Sequence, residues 1–328
     1  MAFFRAWRNG PKRGAIIYKK LVEKYGKCRI YINHYPGTGD VYITSRLFRA
    51  WSEKTCSPDY VPVFTVIGAS ARKVALLFSI ENVEQLTQND TNALIKFYEL
   101  CGNKLDLPIE IMHYHANAMN TGILDTMASV HDLNFLRIYL DIVFPGLTWE
   151  DATPIKENAS NEKARTIMKE HGLTEGKTVL LAPDAHSITP LSVQFWNYLV
   201  NGLKEKGYSV CTNLGSPDEE PLEGTEGVFI PYSELYDFLK LAGTTIQLRS
   251  GLTDLICEAE CRKIILYPIE SHYIFGQGTL YDYFSLSRMR LCSDAEEYEF
   301  TRIRERVVCE KILRSLDDHE ADCNCQPS

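Results

Sequence analysis

The chain has 328 residues, of which 45% are hydrophobic and 24% are charged, and these values predict a globular protein of two domains. A formal net charge of −8 argues against a general nucleic-acid-binding protein. The ten cysteines lack the paired CxxC spacing of a structural zinc site. Because neither a signal peptide nor a bilayer-length apolar run is visible, the sequence predicts a reduced cytoplasmic protein.

Residues 1–27 alternate basic and apolar side chains. Gly10-Pro11 interrupts them, so the sequence predicts that this segment is not one long helix. The favoured interpretation is an N-terminal helix that packs on the first domain and keeps its charges in water. The other interpretation is peripheral contact with an anionic membrane surface through the basic side chains.

The first half of the chain has the pattern of an α/β domain. An apolar run at 28–32 predicts a strand, and a glycine-rich loop at 33–40 precedes helical periodicity at 41–51. The further predicted elements are strands at 62–68 and 108–115, helices from 71 and over 91–100, and one helix or two short elements at 132–144.

The pattern restarts after a polar segment at 145–161, where we place the linker. We therefore predict an N-terminal domain over 1–155, a C-terminal domain over 156–300, and a helix with a frayed tail over 301–328. Predicted strands of the second domain are 178–183, 208–213, 228–230, 245–248 and 264–268, and predicted helices are 161–171, 191–206, 233–240 and 295–316.

Residues 247–255, Gln-Leu-Arg-Ser-Gly-Leu-Thr-Asp-Leu, link a predicted strand to a helix expected to include Glu258 and Glu260. A Ser-Gly pair that opens a helix offers backbone N–H groups to an anion. The Arg249 guanidinium adds a fork suited to phosphate. The alternative interpretation is a tight strand-to-helix turn with an incidental arginine.

Two successive strand-loop-helix patterns predict parallel sheets, in which ligands bind at the carboxyl ends of the strands. The sequence thus predicts an α/β fold of two Rossmann-like domains. Their polar loops are expected to face each other across a cleft.

With these elements placed, the chain resembles the GT-B glycosyltransferases, in particular the heptosyltransferase group of glycosyltransferase family 9. Gly39-Asp40, followed by apolar residues and a threonine, is similar to that group's first loop. Residues 179–185 resemble the first strand and turn of its second domain, and residues 250–252 stand where it has a Thr-Gly-Leu phosphate loop. The order of elements carries the likeness over most of the chain.

Three positions depart from the family pattern. Arg249 stands where the family has an aspartate, and Asp254 stands where it often has a histidine. Asp184 replaces a glycine in the second-domain turn. These departures indicate a separate branch that uses a donor other than ADP-heptose.

The resemblance implies that Asp40 is the catalytic base, and inverting transfer needs such a carboxylate for the acceptor hydroxyl. The other interpretation is that Asp40 is the N-cap of the following helix, a position where aspartate is favoured. Gly37, Thr38 and Gly39 are the neighbouring acceptor-side candidates.

The donor diphosphate is expected to bind at the ends of second-domain strands, held by Arg249 and by backbone N–H groups. Asp254 either orients Arg249 or stabilises the helix dipole. His186 binds phosphate, donates a proton or is simply a loop side chain. The predicted donor-site residues are Asp184, His186, Ser187, Asn213, Arg249, Ser250, Gly251, Leu252 and Asp254.

His113 and His115 alternate on a predicted strand, so both point to one face. They are acceptor-side candidates, and a metal-binding role lacks a third ligand in the sequence. No Asp-x-Asp pattern for a metal is present, so no metal and no cofactor beyond the nucleotide-sugar substrate is expected.

The sequence therefore predicts a metal-independent, inverting glycosyltransferase that moves a sugar from a nucleotide-sugar to a glycan or lipid-linked acceptor. One alternative is another enzyme on this fold, a sugar-nucleotide epimerase or a pyruvyl transferase. The other is a non-catalytic protein that binds a glycan or a partner enzyme.

Overall fold

A computed structural model describes residues 2–112, 134–185, 188–216, 218–269 and 279–324. The chain folds into two compact units. The first unit is formed by Met1–Leu124 and Leu136–Lys156, and the second by Asp125–Phe135 and Glu157–Ser328. Each unit contains a parallel β-sheet and helices, which confirms the predicted α/β class.

The sheet of the first unit has four parallel strands in the order β3-β2-β1-β4. The strands are β1 (Cys28–Asn33), β2 (Val61–Ile67), β3 (Val83–Leu86) and β4 (Ile109–Met112). The helices described in this half of the chain are α1 (Ala2–Tyr25), α2 (Thr38–Thr55), α3 (Gly68–Leu76), α4 (Gln88–Leu105) and α5 (Phe135–Ile138). A π-helical turn (Tyr139–Val143) and a 3₁₀ turn (Trp149–Asp151) follow α5.

Helix α1 is continuous, so the predicted break at Gly10-Pro11 is wrong: Pro11 lies inside the helix. A proline in a helix interior costs about 3 kcal/mol, and close packing on α4 offsets that cost. Ile17 is buried in the core that the two helices share with the sheet. At Gly14 a Cβ would lie 2.2 Å from the Ala93 carbonyl oxygen, so glycine lets the two helices approach closely.

The sheet of the second unit has six parallel strands in the order β10-β9-β8-β5-β6-β7. The strands are β5 (Thr178–Ala182), β6 (Ser209–Asn213), β7 (Glu226–Val228), β8 (Gly243–Leu248), β9 (Arg262–Pro268) and β10 (Glu296–Phe300). The helices are α6 (Glu162–Glu170), α7 (Val193–Glu205), α8 (Leu235–Ala242), α9 (Gly251–Leu255), α10 (Leu280–Phe284) and α11 (Glu305–Asn324), with 3₁₀ turns at Tyr232–Glu234 and Arg302–Arg304.

Strand β10 corrects the prediction of a helix over 295–316. Two of its three glutamates have partners on the neighbouring strand β9: Arg262 binds Glu296 at 2.6 Å, and the Tyr267 hydroxyl donates to Glu297. This pairing stabilises an edge strand whose charged sequence resembles that of a solvated helix. The helix begins only at Glu305, after a 3₁₀ turn.

Two further boundaries differ from the predictions. The helix predicted over 233–240 begins at Leu235, because Ser233 lies within a 3₁₀ turn and its hydroxyl donates to Glu234 Oε1 at 3.1 Å. Helix α9 ends at Leu255, so Glu258 and Glu260 lie in the turn that follows it and not on the predicted helix. In the described part of the chain, no helix is both long and apolar enough to cross a membrane.

Candidate active site

Both sheets have a topological switch point, where successive strands are added to opposite sides of the first strand. In the first unit this point lies between β1 and β4, and in the second unit it lies between β5 and β8. The second sheet has the 3-2-1-4-5-6 strand order of dinucleotide-binding folds, in which ligands bind outside the carboxyl ends of strands at the switch point. The loops that follow these four strands are therefore the places to look for a site.

Asp40 follows β1, within the first turn of α2. The N-cap of α2 is Gly37, and the Val41 N–H donates to the Gly37 carbonyl at 3.0 Å as the first helical hydrogen bond. The interpretation of Asp40 as the N-cap is therefore wrong, since the helix begins two residues earlier. The predicted loop over 33–40 correspondingly ends at Gly37, and Thr38 and Gly39 belong to the helix.

The Asp40 carboxylate is held by a hydrogen bond within the first unit and lies close to the backbone of Gly37. The Tyr139 hydroxyl donates to Oδ1 at 2.6 Å. A Cβ on Gly37 would lie 2.6 Å from Oδ2, so the carboxylate folds back over the amino end of α2. Asp40 is therefore a half-buried carboxylate beside the loop after β1, at the switch point of the first sheet.

Four predicted site residues, His113, His115, His186 and Ser187, lie outside the described residues. Strand β4, which precedes the first two, pairs with β1 up to the contact of Met112 with Asn33.

In the second unit, Asp184 follows β5 and is exposed, while Arg249 follows the adjacent strand β8. The predicted donor residues of both loops thus flank the switch point of this sheet. Asn213 is the last residue of β6, on the other side of β5, and is half-buried.

Arg249 is directed into the second unit, with 3% of its side chain exposed. Its Nη2 donates to Asp254 Oδ1 at 2.6 Å, its Nε donates to the Phe284 carbonyl at 2.9 Å, and its Nη1 donates to the Ser250 carbonyl. Burial raises the pKa of the Asp254 carboxyl, against the lowering effect of Arg249. Asp254 thus orients Arg249, and direct phosphate binding by the guanidinium requires it to leave this buried pair.

Ser250 and Thr253 form a capping box at the start of α9. The Ser250 N–H donates to Thr253 Oγ1 at 3.1 Å, and the Leu252 N–H donates to Ser250 Oγ at 3.3 Å. Two of the three N–H groups expected to meet an anion are therefore satisfied within the turn. For the third, on Gly251, no acceptor lies among the residues that the structure describes.

No family model matches the chain, and no curated protein matches its sequence. Solved structures do match its fold. The E. coli ADP-heptose LPS heptosyltransferase II has a TM-score of 0.56 and 13% identity, over 89% of this chain and 99% of that chain. The family 9 glycosyl transferase of Veillonella parvula has a TM-score of 0.50 and 12% identity, over 88% of this chain and 89% of that chain.

The chain has the heptosyltransferase fold. This confirms, at the level of the fold, the resemblance to family 9 and the prediction of two Rossmann-like domains of GT-B type.

Three residues of this site escaped the sequence interpretation. Tyr139 lies 99 residues after Asp40, and no local pattern connects the two. Asn33 and Gln247 are completely buried near the carboxyl ends of β1 and β8, and their side-chain NH₂ groups have no acceptor within the described ranges. A buried donor without an acceptor lowers the stability of the fold by about 1–3 kcal/mol. The two NH₂ groups therefore show that both switch points are polar. The sequence signal that could have identified Asn33 and Gln247 is a polar residue within the apolar run of a predicted strand.

Within the described ranges, no group of three or more His, Cys, Asp and Glu side chains has the arrangement of a metal site. The eight described cysteines are free thiols. His113 and His115, the histidines considered as metal ligands, lie outside these ranges.

Proposed function

We propose that this protein is a glycosyltransferase that takes its sugar from a nucleotide-sugar. The observation that carries the proposal is the placement of Asp40 and of the Arg249-Ser250-Gly251 turn at the switch points of two Rossmann-like sheets. The likeness of the fold to a heptosyltransferase supports the same reaction class.

In the proposed reaction, Asp40 is the general base of an inverting transfer. A carboxylate fixed by Tyr139 and close to Gly37 is positioned at the surface of the first unit. Gly37, Thr38 and Gly39, with His113 and His115 after the neighbouring strand, form the acceptor side. A metal is not part of this proposal, since cationic and N–H groups can stabilise a leaving diphosphate.

The donor diphosphate is proposed to bind at the switch point of the second unit. The Gly251 N–H supplies one contact, and the loop after β5 supplies the others through the backbone from Asp184 to Ser187 and the side chains of His186 and Ser187. Asn213, at the end of β6, lies on the side proposed for the nucleoside. Arg249 and Asp254 hold the β8–α9 turn in place through their buried ion pair. The donor of the E. coli structure is named as ADP-heptose, so ADP-sugars are the first probes.

A thermal-shift panel tests donor binding. At about 100 times its dissociation constant, a ligand that binds only the folded state adds about 2.7 kcal/mol, which raises Tm by about 5–10 °C for units of this size. We expect one nucleoside diphosphate and its sugar ester to give this shift. The nucleoside of the same base, which lacks the diphosphate, is the matched control and should shift Tm far less.

The panel also separates the alternatives. No shift with any diphosphate or nucleotide-sugar would contradict the proposal and favour a non-catalytic binder. A shift without release of nucleoside diphosphate, but with conversion of the sugar, would identify an epimerase. Transfer from phosphoenolpyruvate would identify a pyruvyl transferase.

We further propose that the acceptor is a glycan or a lipid-linked glycan and that α1 touches the anionic membrane carrying the latter. The exposed face of α1 carries Lys12, Lys19 and Lys20, while Ile16 on the same face is 57% exposed. This basic face stands out in a chain with a net charge of −8. It is complementary to an anionic lipid surface.

Vesicle co-sedimentation tests this contact. Each basic residue near an anionic surface contributes about 1 kcal/mol, so the K12Q/K19Q/K20Q variant should bind phosphatidylglycerol vesicles about 100-fold more weakly than the wild type. A K163Q/K169Q/K311Q variant makes the same charge change on exposed lysines of the second unit and should bind like the wild type. Equal losses in both variants, or equal binding to phosphatidylcholine, would refute a specific role of α1.

A further inference from the structure

The contact between Asp40 and Tyr139 joins two segments that are far apart in sequence. Asp40 lies in the first turn of α2, and Tyr139 is the first residue of the π-helical turn. The Tyr139 hydroxyl donates to Asp40 Oδ1 at 2.6 Å. This distance is short for an O–H···O bond and is typical of a bond to an ionised carboxylate.

The ring of Tyr139 is fixed by its surroundings. The side chain is completely buried and stacks on Phe144, with ring centroids 6.4 Å apart. Phe144 in turn packs edge-on against Trp51 of α2, with centroids 5.6 Å apart. The Phe144 N–H donates to the Tyr139 carbonyl at 2.9 Å and closes the π-helical turn. Such turns are rare and occur frequently at functional sites.

The second oxygen of Asp40 lies on the other side of the carboxylate. Oδ2 is the atom that a Cβ on Gly37 would approach to 2.6 Å. Tyr139 therefore holds Oδ1 from the interior, while Oδ2 is directed over the loop that ends at Gly37. The two carboxylate oxygens of Asp40 therefore have different surroundings.

We propose that Tyr139 is a positioning residue for the catalytic base Asp40, an inference that rests on the proposed glycosyltransferase function. Its hydrogen bond fixes the orientation of the carboxylate and favours its charged form. In the transfer step, the acceptor hydroxyl proton passes to the Asp40 carboxylate and the hydroxyl oxygen forms a bond to the anomeric carbon. The bond from that carbon to the diphosphate breaks, and its electron pair leaves with the diphosphate.

The Tyr139→Phe variant tests this role without any substrate. A hydrogen bond to an ionised carboxylate favours the charged form. Its loss should move the midpoint of the Asp40 carboxyl titration, followed by ¹³C NMR, to higher pH by about one pH unit. The Asp40→Asn variant assigns the resonance. An unchanged midpoint in a folded Tyr139→Phe protein would overturn the proposal.

Tyr31→Phe is the matched control. Tyr31 is also completely buried, and its hydroxyl forms a hydrogen bond with Thr55 Oγ1 at 2.8 Å, at the opposite end of α2. Both variants lose one buried hydroxyl contact with the same helix, so similar losses of stability are expected. Only Tyr139→Phe should shift the Asp40 titration, and an equal shift in Tyr31→Phe would refute a specific role of Tyr139.

Kinetics then connect the hydrogen bond to the reaction. With a donor that the wild type uses, Tyr139→Phe should lower kcat about 10- to 100-fold, because the base is misplaced, and leave KM for the donor unchanged. A shifted titration without any sugar transfer by the wild type would refute the glycosyltransferase proposal and leave the contact itself intact. A full kcat in Tyr139→Phe would refute the positioning role alone.

Discussion

Replacing Arg249 by methionine is expected to lower the free energy of unfolding of the second unit by about 3–5 kcal/mol. The side chains of Arg249 and Asp254 are 3% and 2% exposed, and their ion pair is 2.6 Å long. Methionine fills much of the same volume but leaves the Asp254 carboxylate and the Phe284 carbonyl without the guanidinium. Urea unfolding, with hydrogen exchange read in β8, measures the loss.

The loss should depend on pH. Burial raises the pKa of Asp254, and both lowering contributions come from Arg249. In Arg249→Met the folded state therefore holds the Asp254 proton to higher pH than the unfolded state does. Stability then falls as pH rises, so the variant should be further below the wild type at pH 8 than at pH 5. A constant difference would contradict this explanation.

Two other variants separate burial from charge. Arg165 binds Glu175 at the same distance of 2.6 Å, but with side chains 52% and 46% exposed, so Arg165→Met should cost less than about 1 kcal/mol. The Arg249→Met/Asp254→Leu double variant removes both buried charges and should recover most of the stability. If Arg249→Met were as mild as Arg165→Met, the pair would not hold the β8–α9 turn.

The sequence predicted the order of elements because hydrophobic periodicity is local. The β8–turn–α9 unit was placed correctly, since a buried run followed by Ser250-Gly251 carries both a strand signal and a cap signal. The end of the helix was predicted wrongly: its pattern was extended to include Glu258 and Glu260, whereas the helix ends at Leu255. Strand β10 was missed because Glu296 and Glu297 have partners on β9, and pairing across strands is not visible in one stretch of sequence.

In the candidate site, too, local sequence patterns were informative and contacts between distant residues were not predictable. Asp40 and Arg249 were found because each lies beside glycines at the end of an apolar run. The inward direction of Arg249 was not predictable, because it depends on the Phe284 carbonyl, 35 residues later in the chain. The contact of Tyr139 with Asp40 depends on packing against Phe144 and Trp51. Local patterns thus pointed to candidate residues, and tertiary packing decides what each one contacts.

Replacing Asp40 by asparagine is expected to lower kcat for sugar transfer by about 10²- to 10⁴-fold, the usual contribution of a positioned general base. Asparagine keeps the shape of the side chain and an oxygen that accepts from Tyr139, so the fold should persist. The lost charge in the first turn of α2 should cost only about 0.3–1 kcal/mol. Release of nucleoside diphosphate measures kcat, and the thermal shift by the same diphosphate should match that of the wild type.

Glu53→Gln is the control for the loss of a carboxylate from α2. Glu53 lies on the same helix, is exposed and pairs with Arg49 at 3.0 Å, so its replacement should leave kcat within about twofold of the wild type. If Asp40→Asn lowered kcat much less than the expected factor of about 10², Asp40 would not be the general base. An equal loss of kcat in Glu53→Gln would mean that the loss in Asp40→Asn comes from the changed charge of the helix and not from a missing base.

A double-variant cycle then decides whether Tyr139 acts through Asp40. If Tyr139 only orients and ionises this carboxylate, its hydroxyl has nothing left to contribute once Asp40 is asparagine. The Asp40→Asn/Tyr139→Phe variant should then have the kcat of Asp40→Asn alone, because residues that act as a unit are strongly non-additive. Additive losses in kcat would mean that Tyr139 affects the reaction by a route other than Asp40. In that case it would not be a positioning residue for this carboxylate.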